Sequence, residues 1–142
     1  MDTPTYLHLT PGKAPPRLKA NSPFKAILVI EDDVTPEWQG VVSDWLVRGG
    51  CRYMMAWGRK CSEWDDSVED ANLRLFDYGE IPANDFVMTT WHERDSLQDT
   101  FLYSVRAAMH PSLDLEQTYI VHIAPNERSG ELLRTFHDAQ DK

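Results

Sequence analysis

Phe24-Lys25-Ala26-Ile27-Leu28-Val29-Ile30-Glu31 is a near-continuous apolar run closed by a carboxylate. Runs of this kind form strands buried on both faces of a parallel sheet, where helices cover either side. Thr35-Pro36-Glu37 follows, with the chemistry of a helix start: an N-cap hydroxyl, a proline at the first helical position and a first-turn acid. Trp38, Val41, Val42, Trp45 and Leu46 then fall on one helical face. Gly49-Gly50 ends that helix through a left-handed position. Strand, helix and tight stop together open a βαβ unit.

The pattern repeats. Cys51 to Trp57 reads as a second strand, and a helix to about Phe76 follows, with Ser62 or Asp66 as its N-cap and Val68, Ala71, Leu75 and Phe76 inward. Phe86 to Trp91 is a third strand, followed by a helix that Asp95 or Ser96 caps and Pro111 terminates. Thr118 to Ala124 is a fourth strand, and Leu132, Leu133 and Phe136 mark a last helix. Four strands alternating with four helices predict an α/β fold. The expected form is a single three-layer domain, flavodoxin- or Rossmann-like, with a four-stranded, mostly parallel sheet in the order 2-1-3-4.

Residues 1–23 stand apart, with five of the nine prolines. They read as a proline-rich extended N-terminal arm, which Tyr6, Leu7, Leu9 and Leu18 can pin to a domain of residues 24–142. The arm carries Asp2 against Lys13, Arg17 and Lys19, a net of +2, so the remainder carries −11 and the whole chain a formal −9. That acidity argues against a nucleic-acid binder, which needs clustered Lys and Arg, and suits a basic protein partner. No apolar run reaches membrane-spanning length, and Met1-Asp2-Thr3-Pro4 lacks a signal-peptide pattern, so a cytoplasmic protein is expected. Cys51 and Cys61 form neither a disulfide framework nor a zinc motif, and read as reduced thiols.

In a parallel sheet the loops after the strands share one edge, where ligands bind. Four polar clusters arrive there: Glu31-Asp32-Asp33, Cys61 through Asp66, His92-Glu93, and Asn126-Glu127-Arg128. Two catalytic or ligand roles are open. Cys61 beside Arg59 and Lys60, at a helix N-terminus, has the surroundings of a lowered thiol pKa, with His92 as base and Asp66 or Glu93 to orient the ring. Asp32 and Asp33, with Asp65 and Asp66 as a second pair, suit a hard cation such as Mg²⁺; no other cofactor is expected. Helix capping accounts for the same aspartate pairs without a ligand. A binding surface is the third option, built from Trp57, Gly58, Trp64, Asp65, Trp91 and Glu93. His122, between Val121 and Ile123, reads as a hydrogen-bonded core residue. No phosphate-binding glycine loop, nucleophile elbow or HExxH motif occurs.

Ala26-Ile27-Leu28-Val29-Ile30-Glu31-Asp32-Asp33 resembles the first βα unit of response-regulator receiver domains, which implies an Mg²⁺-binding acidic pair. The likeness stops at Gly49-Gly50: where a receiver has its phospho-accepting aspartate this chain has Thr89-Thr90-Trp91-His92. The segments YMMAWGRKCSEWDDSVEDANL, FDYGEIP and FVMTTWHE are similar to those of a family of small uncharacterised bacterial proteins. That second resemblance implies no activity.

Charge, indoles at strand ends and the lack of a complete catalytic set favour a non-catalytic binding or regulatory protein with a basic protein partner, an immunity-type protein being one form of it. A small hydrolase or transferase using Cys61, His92 and a carboxylate, with or without Mg²⁺, is the alternative, and a degenerate receiver-like signalling domain the second.

Overall fold

The computed structural model describes residues 3–18 and 20–141, so the Asp2 and Lys19 charges counted above lie outside the described residues. Five strands and four helices alternate: β1 (Thr5–Leu9), β2 (Phe24–Ile30), α1 (Pro36–Gly49), β3 (Cys51–Gly58), α2 (Cys61–Leu75), β4 (Met88–Trp91), α3 (Leu97–Arg106), β5 (Gln117–Ile123) and α4 (Ser129–Gln140). Every strand pair is parallel, in the order β1-β5-β2-β3-β4. The arrangement is compatible with a three-layer Rossmann- or flavodoxin-like fold.

Two expectations need correction. The sheet has five strands, not four. Thr5–Leu9 lies between Pro4 and Pro11 and itself contains no proline, so it can pair on one side as an edge strand. The order also differs from 2-1-3-4: the four expected strands run fourth, first, second, third. The chain steps from β2 to β3 to β4 in one direction, then β5 returns to the other side of β2.

The apolar run alternates between two cores. Ala26, Leu28 and Ile30 pack with Trp38, Val42 and Leu46 of α1 and Trp64 and Val68 of α2. Ile27 and Val29 pack with Phe101 of α3 and Leu132 and Phe136 of α4. Removing this much apolar surface from water is the main drive to fold. Thr35 caps α1, accepting from the Trp38 amide at 3.2 Å, as its sequence position predicts. The Trp38 and Trp45 indoles donate to the carbonyls of Lys13 and Pro16, at 2.8 and 2.6 Å, which fastens the proline-rich segment across α1.

The turn into α2 decides the shape of the carboxyl edge. Gly58 sits at φ 105, and a Cβ there would collide with the Ile30 carbonyl oxygen. The Arg59 amide donates to that same oxygen at 2.9 Å. Lys60 then occupies the N-cap at φ 53 and offers no capping side chain. The helix therefore starts at Cys61, and neither Ser62 nor Asp66 caps it. Asp65 and Asp66 lie inside its second turn.

Candidate functional site at the carboxyl edge

The strand order reverses at β2, which has β3 on one side and β5 on the other. Ligands of open α/β sheets bind beyond the carboxyl ends of the strands at such a point. Here that point holds a line of hydrogen bonds through four segments. His122 of β5 is fully buried. Its Nε2 bonds the Glu31 carboxylate at 2.5 Å and its Nδ1 the Tyr6 hydroxyl at 2.6 Å. Glu31 also accepts from the Arg128 guanidinium at 2.5 Å, and the Arg128 amide donates to the Tyr6 oxygen at 3.0 Å. A ring that donates from Nε2 to the carboxylate and accepts the Tyr6 O–H at Nδ1 satisfies every group.

The electrostatics fit that assignment. Burial holds the His122 ring below its ordinary pKa, against the pull of Glu31. Burial alone would raise Glu31, but hydrogen bonds from Arg128 and His122 outweigh it and bring the carboxyl down. Tyr6 is raised, chiefly by burial. His8 lies beside His122, the rings tilted and their centres 5.9 Å apart, and donates to the Ala124 carbonyl at 2.7 Å. The cluster ties β1, β2, β5 and the start of α4 together, with both His122 ring nitrogens, both Glu31 carboxylate oxygens and the Tyr6 hydroxyl engaged. It is a clasp, a polar line whose central groups are spent on one another.

Cys61 and His92 sit on neighbouring segments without forming a pair. The Cys61 side chain is buried, and its thiol pKa is raised, by burial first and by the Glu93 charge second. Backbone N–H groups of His92, Cys61 and Ser62 face the sulfur but do not outweigh these effects. The lowering expected from Arg59 and Lys60 is thus corrected, because burial dominates. His92 spends both ring nitrogens elsewhere, Nε2 on the Thr90 hydroxyl at 2.8 Å and Nδ1 on Asp95 at 2.9 Å. Asp95, rather than Asp66 or Glu93, orients this ring, which also packs edge-on to Tyr103. Cys51 is more deeply inert, its thiol pushed up to about 12 by burial.

The acid pair after β2 is likewise engaged. Asp33 takes a two-pronged contact from Arg59, at 2.8 and 3.0 Å, and this guanidinium holds its carboxyl below the usual range. Asp32 accepts from the Asp33 amide at 2.9 Å. The cleft they share with Lys60, Glu63 and Trp64 has a volume of about 120 Å³. Among the described residues no group of three or more His, Cys, Asp or Glu side chains converges as metal ligands. A larger hollow of about 470 Å³ lies beside Lys25 at the amino end of β2, away from these groups.

The indoles separate sharply. Trp64 is 1% exposed and meets Trp38 edge to face. Trp57 is half-buried and donates to the Asp95 carbonyl at 2.8 Å. Trp91 is 51% exposed, on the outermost strand. Phe86, just before that strand, is 40% exposed, and a groove of about 250 Å³ runs from it between α2 and β4. Leu73, Ile81, Val87 and Thr89 line the groove, together with Glu69 and the buried Asn72. Asp65, by contrast, is 4% exposed. Of the surface proposed from sequence, Trp91, Glu93 and the turn at Gly58 face outward, while Trp64 and Asp65 belong to the interior.

The family model described as Domain of unknown function (DUF7684) matches residues 4–139. The chain belongs to this family. Its match begins within the proline-rich segment and takes in β1, so the DUF7684 domain includes the edge strand and the Tyr6 end of the clasp. Neither the curated proteins nor the solved structures gave a match. Among the described residues no helix of this DUF7684 chain is long and apolar enough to cross a membrane.

Sequence reasoning missed the clasp as a unit. Glu31 and Arg128 fell in two of the four edge clusters and His122 read as a bonded core residue, but only the pairing of β5 with β1 and β2 joins them to Tyr6. A histidine at the second-last position of a buried strand, facing a carboxylate at the end of another, was the available signal.

Proposed function

We propose that this protein is a non-catalytic binding or regulatory protein of the cytoplasm, which engages a basic protein partner through the surface formed by the end of β4, the Gly58 turn and the start of α2. An immunity-type role, in which an acidic domain covers a basic protein, is the form of this reading that suits a formal charge of −9. One observation carries it: Trp91 is half-exposed on an edge strand, whereas the neighbouring indoles are packed or hydrogen-bonded. Exposed tryptophans are costly in water and are enriched at the centres of interfaces. The reading involves no cofactor.

The thiol alternative needs Cys61 and His92 to meet, and the partners of His92 favour binding over that chemistry. A photo-crosslinking residue at position 91 tests the proposal in the producing cells. It predicts a discrete adduct from position 91 and none from position 134 on the far side of α4. Equal labelling from both positions, or none, would oppose it.

A further inference from the structure

The free edge of β4 has a backbone row that can be assigned. The His92 amide donates to Ala56 of β3 at 2.9 Å, so strand alternation turns the N–H and C=O of Thr89 and Trp91 away from β3. Val87 belongs to the same outward row, and its amide is taken by the Asn72 side chain of α2 at 3.0 Å. No strand lies beyond β4 among the described residues. The side chains of Val87, Thr89 and Trp91 share the face covered by α2, and Val87 and Thr89 line the apolar groove there.

Asp65 supplies the second observation. It is 4% exposed, yet its Oδ1 has no hydrogen-bond partner. An unpartnered buried carboxylate oxygen has given up its hydration with nothing in exchange. The Thr89 hydroxyl lies beside this carboxyl, and Glu69 follows one turn later on α2; Thr89 and Glu69 both line the groove, so Asp65 lies directly behind its lining. Burial, then the charges of Glu69 and Asp66, raise the Asp65 pKa, so the field here is one that a cation would relieve.

Resting on the binding function above, we infer that β4 is completed by an extended segment of the partner protein. Its backbone pairs with Thr89 and Trp91, its apolar side chains enter the groove at Leu73, Ile81 and Phe86, and a lysine or arginine reaches Asp65 beside the Trp91 indole. Strand addition of this type draws affinity from the backbone and specificity from alternate side chains. A cation over an indole and against a carboxylate gains from both.

The test is panning of a random decapeptide phage library on the full chain, followed by binding measurements on Thr89→Pro and Asp65→Asn. Proline at 89 removes an outward N–H that the sheet does not use, together with the hydroxyl beside Asp65, and asparagine at 65 keeps the shape, so both variants should keep the native circular dichroism spectrum. The inference predicts enriched peptides that alternate apolar residues with Lys or Arg and bind each variant at least tenfold more weakly. No enrichment, enriched peptides without a basic residue, or unchanged binding to both variants would overturn it. If Trp91→Ala loses the cellular partner while Thr89→Pro and Asp65→Asn keep it, strand addition fails and the binding function stands.

Discussion

His122 on β5 and Glu31 at the end of β2 meet at 2.5 Å, where the order of the sheet reverses. The contact joins a buried ring to a carboxylate that also holds Arg128. Removing one member strands the other, and breaking a bond to a charged group costs more than a neutral one. Glu31→Gln should lower unfolding free energy by about 1–3 kcal/mol in urea titrations. Tyr6→Phe should cost about 1 kcal/mol and loosen β1, seen as faster amide exchange in Thr5–Leu9.

Acid should weaken the same clasp. His122 is held below its ordinary value of 6.5, so below that pH the unfolded chain takes up a proton that the buried ring resists. Its contribution is present above that value and is lost as pH falls. Glu31, held below its ordinary 4.5, adds a second loss at lower pH, because its stabilisation exists only while it is ionised. The urea midpoint should fall between pH 7.5 and pH 5.5, and His122→Gln should flatten that slope.

Gly58 is the tightest point of the β3–α2 turn. Alanine there must adopt φ 105 and meet the Ile30 carbonyl. The conformation alone costs about 1–2 kcal/mol. Gly58→Ala should therefore reduce the melting temperature by several degrees, whereas Gly40→Ala, in the open middle of α1, should leave it unchanged or raised.

The thiols should be slow. Cys51 and Cys61 are both buried with raised pKa values. Native protein should react with iodoacetamide at neutral pH more slowly than a free thiol does, and urea should release both cysteines together. Rapid modification of Cys61 alone would restore the nucleophile reading.

How much of this the sequence made legible follows from where each signal lies along the chain. FKAILVIE and Thr35-Pro36 carry their own periodicity and capping chemistry, so β2 and α1 appear where expected. Tyr6, Leu7 and Leu9 do not, since their strand exists only because β5 offers an edge. Strand order is equally non-local: nothing in residues 117–123 says which side of β2 they will choose. Trp57, Trp64 and Trp91 look alike at strand ends, and only packing separates a core indole from an exposed one. Asp66, read as a cap, lies inside α2 because Gly58 sets the turn and the helix starts at Cys61.

That separation of the indoles is measurable. Trp64→Ala should cost about 3–5 kcal/mol, as large aromatic truncations in cores do. Trp91→Ala should stay within about 0.5 kcal/mol of the native stability, as exposed substitutions do.

The two expectations for Trp91, neutral to folding and central to binding, meet in one measurement. Partner protein recovered with the tagged native chain should be quantified beside Trp91→Ala and Cys61→Ala, with stability matched by melting temperature. The account predicts that Trp91→Ala loses at least nine-tenths of a specific partner, by about 1.4 kcal/mol or more, while Cys61→Ala retains it. Recovery that is equal in Trp91→Ala and native protein, or lost only in Cys61→Ala, would contradict it.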